Sequence, residues 1–234
     1  YRTTLAITDL RGHARCERVL PVAPDAYEEM LDFLCRSVND LVAASGLNKE
    51  RIYGIAVGFP GFIDDKTGVT RSANRTTWIN KPLVHDLHQR LEFPVWTDNN
   101  ARMRAVGREL FASSRAPSTF AYFFVSKGVA CPLMIENLLY SGHRASAGEI
   151  GHNVIVPGGP VCPTCGKKGC LEAVSSESAI LAQARRAAGN GASPLLKSML
   201  TRHGALTTEL LLQAQQEGDP VVCRIMENAV SYLG

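Results

Sequence analysis

The chain has 234 residues, 45% of them hydrophobic and 20% charged, with a formal net charge of +3. That length can bury a core in one large domain or two smaller lobes, and the composition is that of a globular chain. The charge is too mild to argue for nucleic acid or a membrane surface, no apolar run is long enough to span a bilayer, and the opening YRTTLAITDLRG has none of the parts of a signal peptide.

The opening reads as strand, turn and strand: TTLAIT is β-rich, DLRG is a tight turn, and HARCERVLPV continues as a second strand. In residues 24–46, Met30, Leu31, Leu34, Val38, Leu41 and Val42 recur at helical spacing, with Gly46 as the stop. RIYGIAVGFPGFID is a strand running into a Gly/Pro loop, DDKTG is a turn, and VTRSAN is a short strand. KPLVHDLHQRLE is a short helix with Pro82 in its first turn, where a missing N–H costs nothing. FPVWTD is a strand ending at Asp98-Asn99-Asn100, and ARMRAVGRELF is a helix leaving it. TFAYFFVS and VACPLMIE read as buried strands, with Trp78 and Trp96 assigned to the core. After the cysteine cluster come three helical stretches, SSESAILAQARRAAG, TTELLLQAQQEG and PVVCRIMENAVSYLG. This order predicts an α/β fold with a mixed sheet, divided into lobes at residues 1–100 and 101–234. The chain lacks an initiator Met and its last helix feeds no strand, so both ends are expected to be truncated.

Seven cysteines, an odd number, with no export signal fit a reducing compartment, hence the cytoplasm, better than a disulfide framework. Three of them, Cys162, Cys165 and Cys170, form C-x2-C-x4-C, and His152 stands upstream. Three thiolates and an imidazole make a complete tetrahedral set for zinc, and the stretches PGGP and GKKG supply the turns. With no position left for water, such a metal is structural rather than a Lewis acid. Glu149 and Glu172 stand at the two ends of this loop, and carboxylates pinned there suit the hydroxyls of a sugar.

The segment AGEIGHNVIVPGGPVCPTCGKKGCLEAVSS resembles the signature of the ROK family, the bacterial sugar kinases, sugar-responsive repressors and related reading frames. GIAVGFPGFID is similar to that family's sugar-side loop, SANRTTW to its Asn-containing sugar-binding segment, and VWTDNNARMRAVGRE to its catalytic strand end. One departure is the two residues between Cys162 and Cys165, where the common pattern has one. The resemblance implies an actin-like (ribonuclease H-like) two-lobed ATPase fold with a structural zinc loop and a monosaccharide in the cleft between the lobes. By position it implies sugar contacts at Asn74, Asn99, Asn100, Glu149, His152 and Glu172, and zinc ligands at His152, Cys162, Cys165 and Cys170. His152 would then hold zinc with one ring nitrogen and face a hydroxyl with the other.

Phosphoryl transfer needs a carboxylate to take the hydroxyl proton, turns that let backbone N–H groups reach the phosphates, and Mg2+. Where family kinases carry Asn-Asp, this chain reads Asn99-Asn100, so the position of the base holds an amide. Asp98 is the alternative carboxylate, and it stands two residues earlier. The family's glycine-rich second phosphate turn is here SKGVACPLMI, with Gly128 left and Pro132 in the following strand. The reading is therefore the sugar-sensing domain of a ROK-type regulator, a repressor rather than an enzyme. DNA would be read by a winged helix-turn-helix outside these residues, and the resemblance implies a homodimer or higher oligomer. ATP and Mg2+ enter only under the alternative, a sugar kinase of the glucokinase or N-acetylhexosamine kinase type.

Overall fold

The structure, a computed structural model, describes residues 3–22, 24–73, 78–112 and 117–234. Two compact units divide the chain: residues 1–120 with 133–147, and residues 121–132 with 148–234.

The first unit opens with an antiparallel hairpin, β1 (Thr4–Thr8) and β2 (Ala14–Val19). Its turn is held by Asp9, whose Oδ1 accepts the N–H groups of Arg11 and His13 at 2.9 and 3.0 Å. Helix α1 (Tyr27–Ser45) follows and ends at Gly46, whose left-handed φ of 67° lets its N–H return to the Ala43 carbonyl. Strand β3 (Ile55–Phe59) leads into the hairpin β4 (Gly61–Ile63) and β5 (Thr70–Ala73), then into α2 (Leu83–Leu91) and β6 (Val95–Asn99). β3 and β6 are parallel, in a register that sets Gly58 beside Asp98 and Phe59 beside Asn99. A parallel pair needs a long crossover, which the hairpin and α2 provide. The apolar stripes of α1 and α2 close over this pair, burying Met30, Leu31, Phe59, Leu87 and Leu91. Helix α3 (Asn100–Phe111) starts directly from the end of β6, and strand β7 (Phe120–Ala121) follows.

The second unit begins with a tight hairpin, β8 (Phe124–Val125) and β9 (Val129–Ala130). The chain then returns to the first unit for the hairpin β10 (Leu133–Ile135) and β11 (Leu138–Leu139), turned by Glu136 and Asn137, both at positive φ. Back in the second unit, a 3-10 turn at Ile150–His152 precedes the cysteine loop. Five helices complete it: α4 (Leu171–Ser175), α5 (Glu177–Gly189), α6 (Pro194–His203), α7 (Thr208–Gln216) and α8 (Pro220–Leu233). Their core is built from small and branched side chains, among them Ala184, Leu196, Leu211, Ala214 and Val222. Two N-caps are joined: Ser193 Oγ caps α6 and donates to Asp219 Oδ2 at 2.7 Å, while Asp219 caps α8.

Several sequence expectations are corrected. The expected division after residue 100 does not match the compact units, because α3 grows out of β6 and stays with the first one. The two long strands expected over residues 119–136 are short pieces, since Pro132 cannot donate to a ladder and Ser126 N–H closes a tight turn on the Gly128 carbonyl. The helical stretch at 175–189 starts instead at Glu177, because the Ser176 hydroxyl caps it. Helix α6 was not expected at all. Its signals are a Ser193 cap, Pro194 in its first turn, and Gly204 at φ 73° after its end. Trp96 is 61% exposed, with its ring lying over Gly54. Trp78 is half-buried against Phe59.

Candidate metal loop and strand-end site

The loop 153–171 is pinned by backbone bonds before any ligand is considered. Ile155 and Val156 donate to the Gly169 carbonyl, Leu171 N–H reaches Asn153 O at 2.9 Å, and Cys162 N–H reaches Lys167 O at 2.7 Å. Gly169 is obligatory: its φ is +79°, and a Cβ there would stand 1.7 Å from the Val156 carbonyl oxygen. This frame turns Cys162, Cys165 and Cys170 inward upon His152, with all four ligand atoms within 4.8 Å of one another. Cys162 Sγ lies 3.8 Å from His152 Nδ1, and Cys165 Sγ lies 3.5 Å from Cys170 Sγ. Thiolates at about 2.3 Å from a tetrahedral zinc would stand about 3.8 Å apart, so the spacing fits a metal at the centre.

The electrostatics agree with that fit. Burial pushes the Cys162 thiol up, and burial together with the neighbouring thiols pushes Cys170 up to about 12. Burial also acts to raise Cys165, but the Lys167 N–H and the other two thiols outweigh it and hold this thiol below its ordinary value. Thiols that resist ionising together are relieved by a divalent cation, which binds them as thiolates. His152 turns Nδ1 to the thiols, which leaves Nε2 for another partner.

Glu172 sits behind this loop on α4 and is only 9% exposed. Its Oε1 accepts the Thr164 hydroxyl at 2.6 Å and its Oε2 accepts the Val129 N–H at 3.2 Å. The carboxylate also lies against the turn of the β8–β9 hairpin: a Cβ at Gly128 would come within 2.7 Å of Oε2. Glu149 is half-buried and opens the 3-10 turn that carries His152. The structure brings His152, the three thiols and Glu172 to one place, together with Thr164 and the Val129 N–H, which the sequence did not point to. The signal available for Thr164 is the extra residue between Cys162 and Cys165.

The first unit holds the other residues. Asn99 caps α3: its Oδ1 accepts the N–H of Ala101 at 2.8 Å and of Arg102 at 3.4 Å, while its Nδ2 donates to Gly61 O at 3.1 Å. Asn100, the first residue of that helix, has no hydrogen-bond partner for its side chain among the described residues. Asp98 is occupied: its Oδ1 accepts the Asn99 N–H at 2.6 Å and the Arg102 Nε at 2.8 Å. Arg102, only 2% exposed, also donates to Ser141 Oγ at 2.8 Å. Its place four residues after Asp98 is the sequence signal for that pair. Asn74 lies outside the described residues.

Comparison with known proteins adds four findings. The model of the ROK family matches residues 2–234. A xylose repressor of Caldicellulosiruptor bescii is 31% identical over 198 residues, 85% of this chain and 49% of that protein. A glucokinase of Halalkalibacterium halodurans is 30% identical over 191 residues, 80% of this chain and 57% of that protein. The chain thus spans about half the length of the curated relatives it matches. Among solved structures, a ROK family glucokinase from Streptomyces griseus, in complex with glucose and AMPPNP, superimposes with a TM-score of 0.82 at 23% identity, over 97% of this chain and 72% of that one. That likeness shows the fold, an α/β fold of the actin-like ATPase kind.

Proposed function

Because the chain belongs to the ROK family, we propose that it is the sugar-sensing part of a ROK-type transcriptional regulator, with ligand recognition kept and phosphoryl transfer lost. One observation carries this reading. At the turn where the family resemblance places a phosphate-approaching backbone, the N–H groups of Ser126 and Val129 are already given to Gly128 O and Glu172 Oε2. A buried carboxylate at that point repels phosphate instead of receiving it. The strand end supports the same view, since the base position holds the amide of Asn100, and Asp98 is engaged by Arg102.

On this reading the monosaccharide contacts are Asn74, Asn99, Asn100, Glu149, His152 and Glu172. Zinc is held by His152, Cys162, Cys165 and Cys170 and keeps the His152 ring in one orientation. DNA is read by a module outside residues 1–234, in a homodimer or higher oligomer in the cytoplasm. No helix of the described residues is long and apolar enough to cross a membrane. The glucokinase relative makes a sugar kinase the reading to exclude.

The test uses the intact protein against xylose, glucose, N-acetylglucosamine and N-acetylmannosamine. Thermal shift is expected to show one of them stabilising the protein, by about 2.7 kcal/mol at a hundred times its Kd. Glu172→Gln should weaken that sugar by about tenfold or more while zinc stays bound. Sugar-dependent ADP release by the wild type would overturn the sensor in favour of the kinase.

A further inference from the structure

Thr164 is the second of the two residues between Cys162 and Cys165, the place where the loop departs from the common spacing. Its hydroxyl donates to Glu172 Oε1 at 2.6 Å, and the same carboxylate takes the Val129 N–H on its other oxygen. The Val129 N–H belongs to the β8–β9 hairpin, whose turn lies against the carboxylate: a Cβ at residue 128 would stand 2.7 Å from Oε2. The Ser126 carbonyl of that turn in turn accepts the N–H of Glu177, the first residue of α5, at 2.8 Å.

We infer that Thr164 is a positioning residue that ties the metal loop to the β8–β9 turn through Glu172. A side chain standing between two metal-binding thiols has its backbone fixed when the metal is bound. Its hydroxyl then holds Oε1, which leaves the buried carboxylate one orientation, the one in which Oε2 receives Val129. A carboxylate this buried, with the Thr164 hydroxyl at 2.6 Å and the Cys162 thiol at 3.9 Å on Oε1 and the Val129 N–H on Oε2, is costly to leave half-satisfied, so these bonds support one another. The order of the turn follows the state of the metal loop, and α5 is fastened to the same turn. This inference rests on the metal-loop part of the proposed function and is independent of which sugar binds.

The experiment is amide hydrogen exchange of Val129, followed by NMR, with zinc content measured on the same samples of the intact protein. Thr164→Val keeps the shape and removes the hydroxyl. It is expected to speed Val129 exchange about tenfold, the worth of one lost hydrogen bond, with zinc content unchanged. Thr164→Ser should restore the wild-type rate. Stripping the metal from the wild type should speed the same amide by a similar factor and add little in Thr164→Val. An unchanged Val129 rate in Thr164→Val overturns the inference. So does loss of zinc in that variant, because Thr164 would then act on the loop itself and not through Glu172. A Val129 rate indifferent to chelation overturns the tie to the metal loop. A wild type that holds no zinc removes the metal reading alone, and the Thr164→Val rate still decides whether Thr164 positions the carboxylate.

Discussion

The end of β6 and the cysteine loop are both clusters of polar side chains at the end of a structural element, yet they are balanced in opposite ways. At the strand end each charge meets its complement within the chain. Asp98 pairs with Arg102, and Asn99 gives its oxygen to the helix and its nitrogen to Gly61. In the loop the groups are alike, three thiols and an imidazole facing one another, and burial raises two of the thiols. The first cluster pairs its charges as folded, with Arg102 Nη1 left buried without a hydrogen bond among the described residues, whereas the second would acquire its complement only with a cation at its centre. One is a structural joint that also presents Asn100; the other is a loop able to hold a metal.

The largest effect should come from Cys170→Ser, which removes a fully buried donor from the loop. Loss of a metal is one of the few single changes able to cost more than about 4 kcal/mol. Atomic absorption should find no stoichiometric zinc, and urea unfolding should show the second unit melting early. Full zinc content in this variant would break the contrast, by showing that the loop does not need all its thiols. Next, Arg102→Met should cost about 3 kcal/mol in urea unfolding, with zinc content unaffected, because it leaves the Asp98 carboxylate without its charged partner. The lower end of the range for buried pairs applies, since Asp98 is 22% exposed. A cost no greater than that of a surface substitution would mean the strand end is not self-contained. The smallest is Asn99→Ala, which deletes the cap of α3 and should cost about 1–2 kcal/mol. A purely structural Asn99 would leave sugar affinity untouched once stability is allowed for, so an additional loss of affinity marks it as a ligand contact as well.

How much of this was legible varied by residue. The His/Cys cluster was readable because residues gathered in one short loop are a local pattern: three cysteines in nine positions and a histidine ten residues upstream. Helices α1, α3 and α8 were readable from their apolar spacing. Helix α6 was overlooked although its capping signals are in the sequence. The strands over residues 119–136 were misread because an apolar run specifies burial but not continuity, and the chain changes units twice within that stretch.

What the sequence determined by itself was therefore the short-range chemistry: the α/β alternation, the cluster of three thiols and an imidazole, and the run Asp98-Asn99-Asn100 at the strand end. Only the tertiary structure decided which polar groups are already spent. Asp98 is taken by Arg102 and Ser141 holds the far end of that guanidinium, 39 residues away. Glu172 already accepts from Thr164 and from Val129, 43 residues distant, and keeps further lone pairs for a ligand hydroxyl. The physical reason is that hydrogen bonds form over about 3 Å, whatever the separation along the chain. A sequence shows which donors and acceptors exist, and folding settles which of them remain for a ligand.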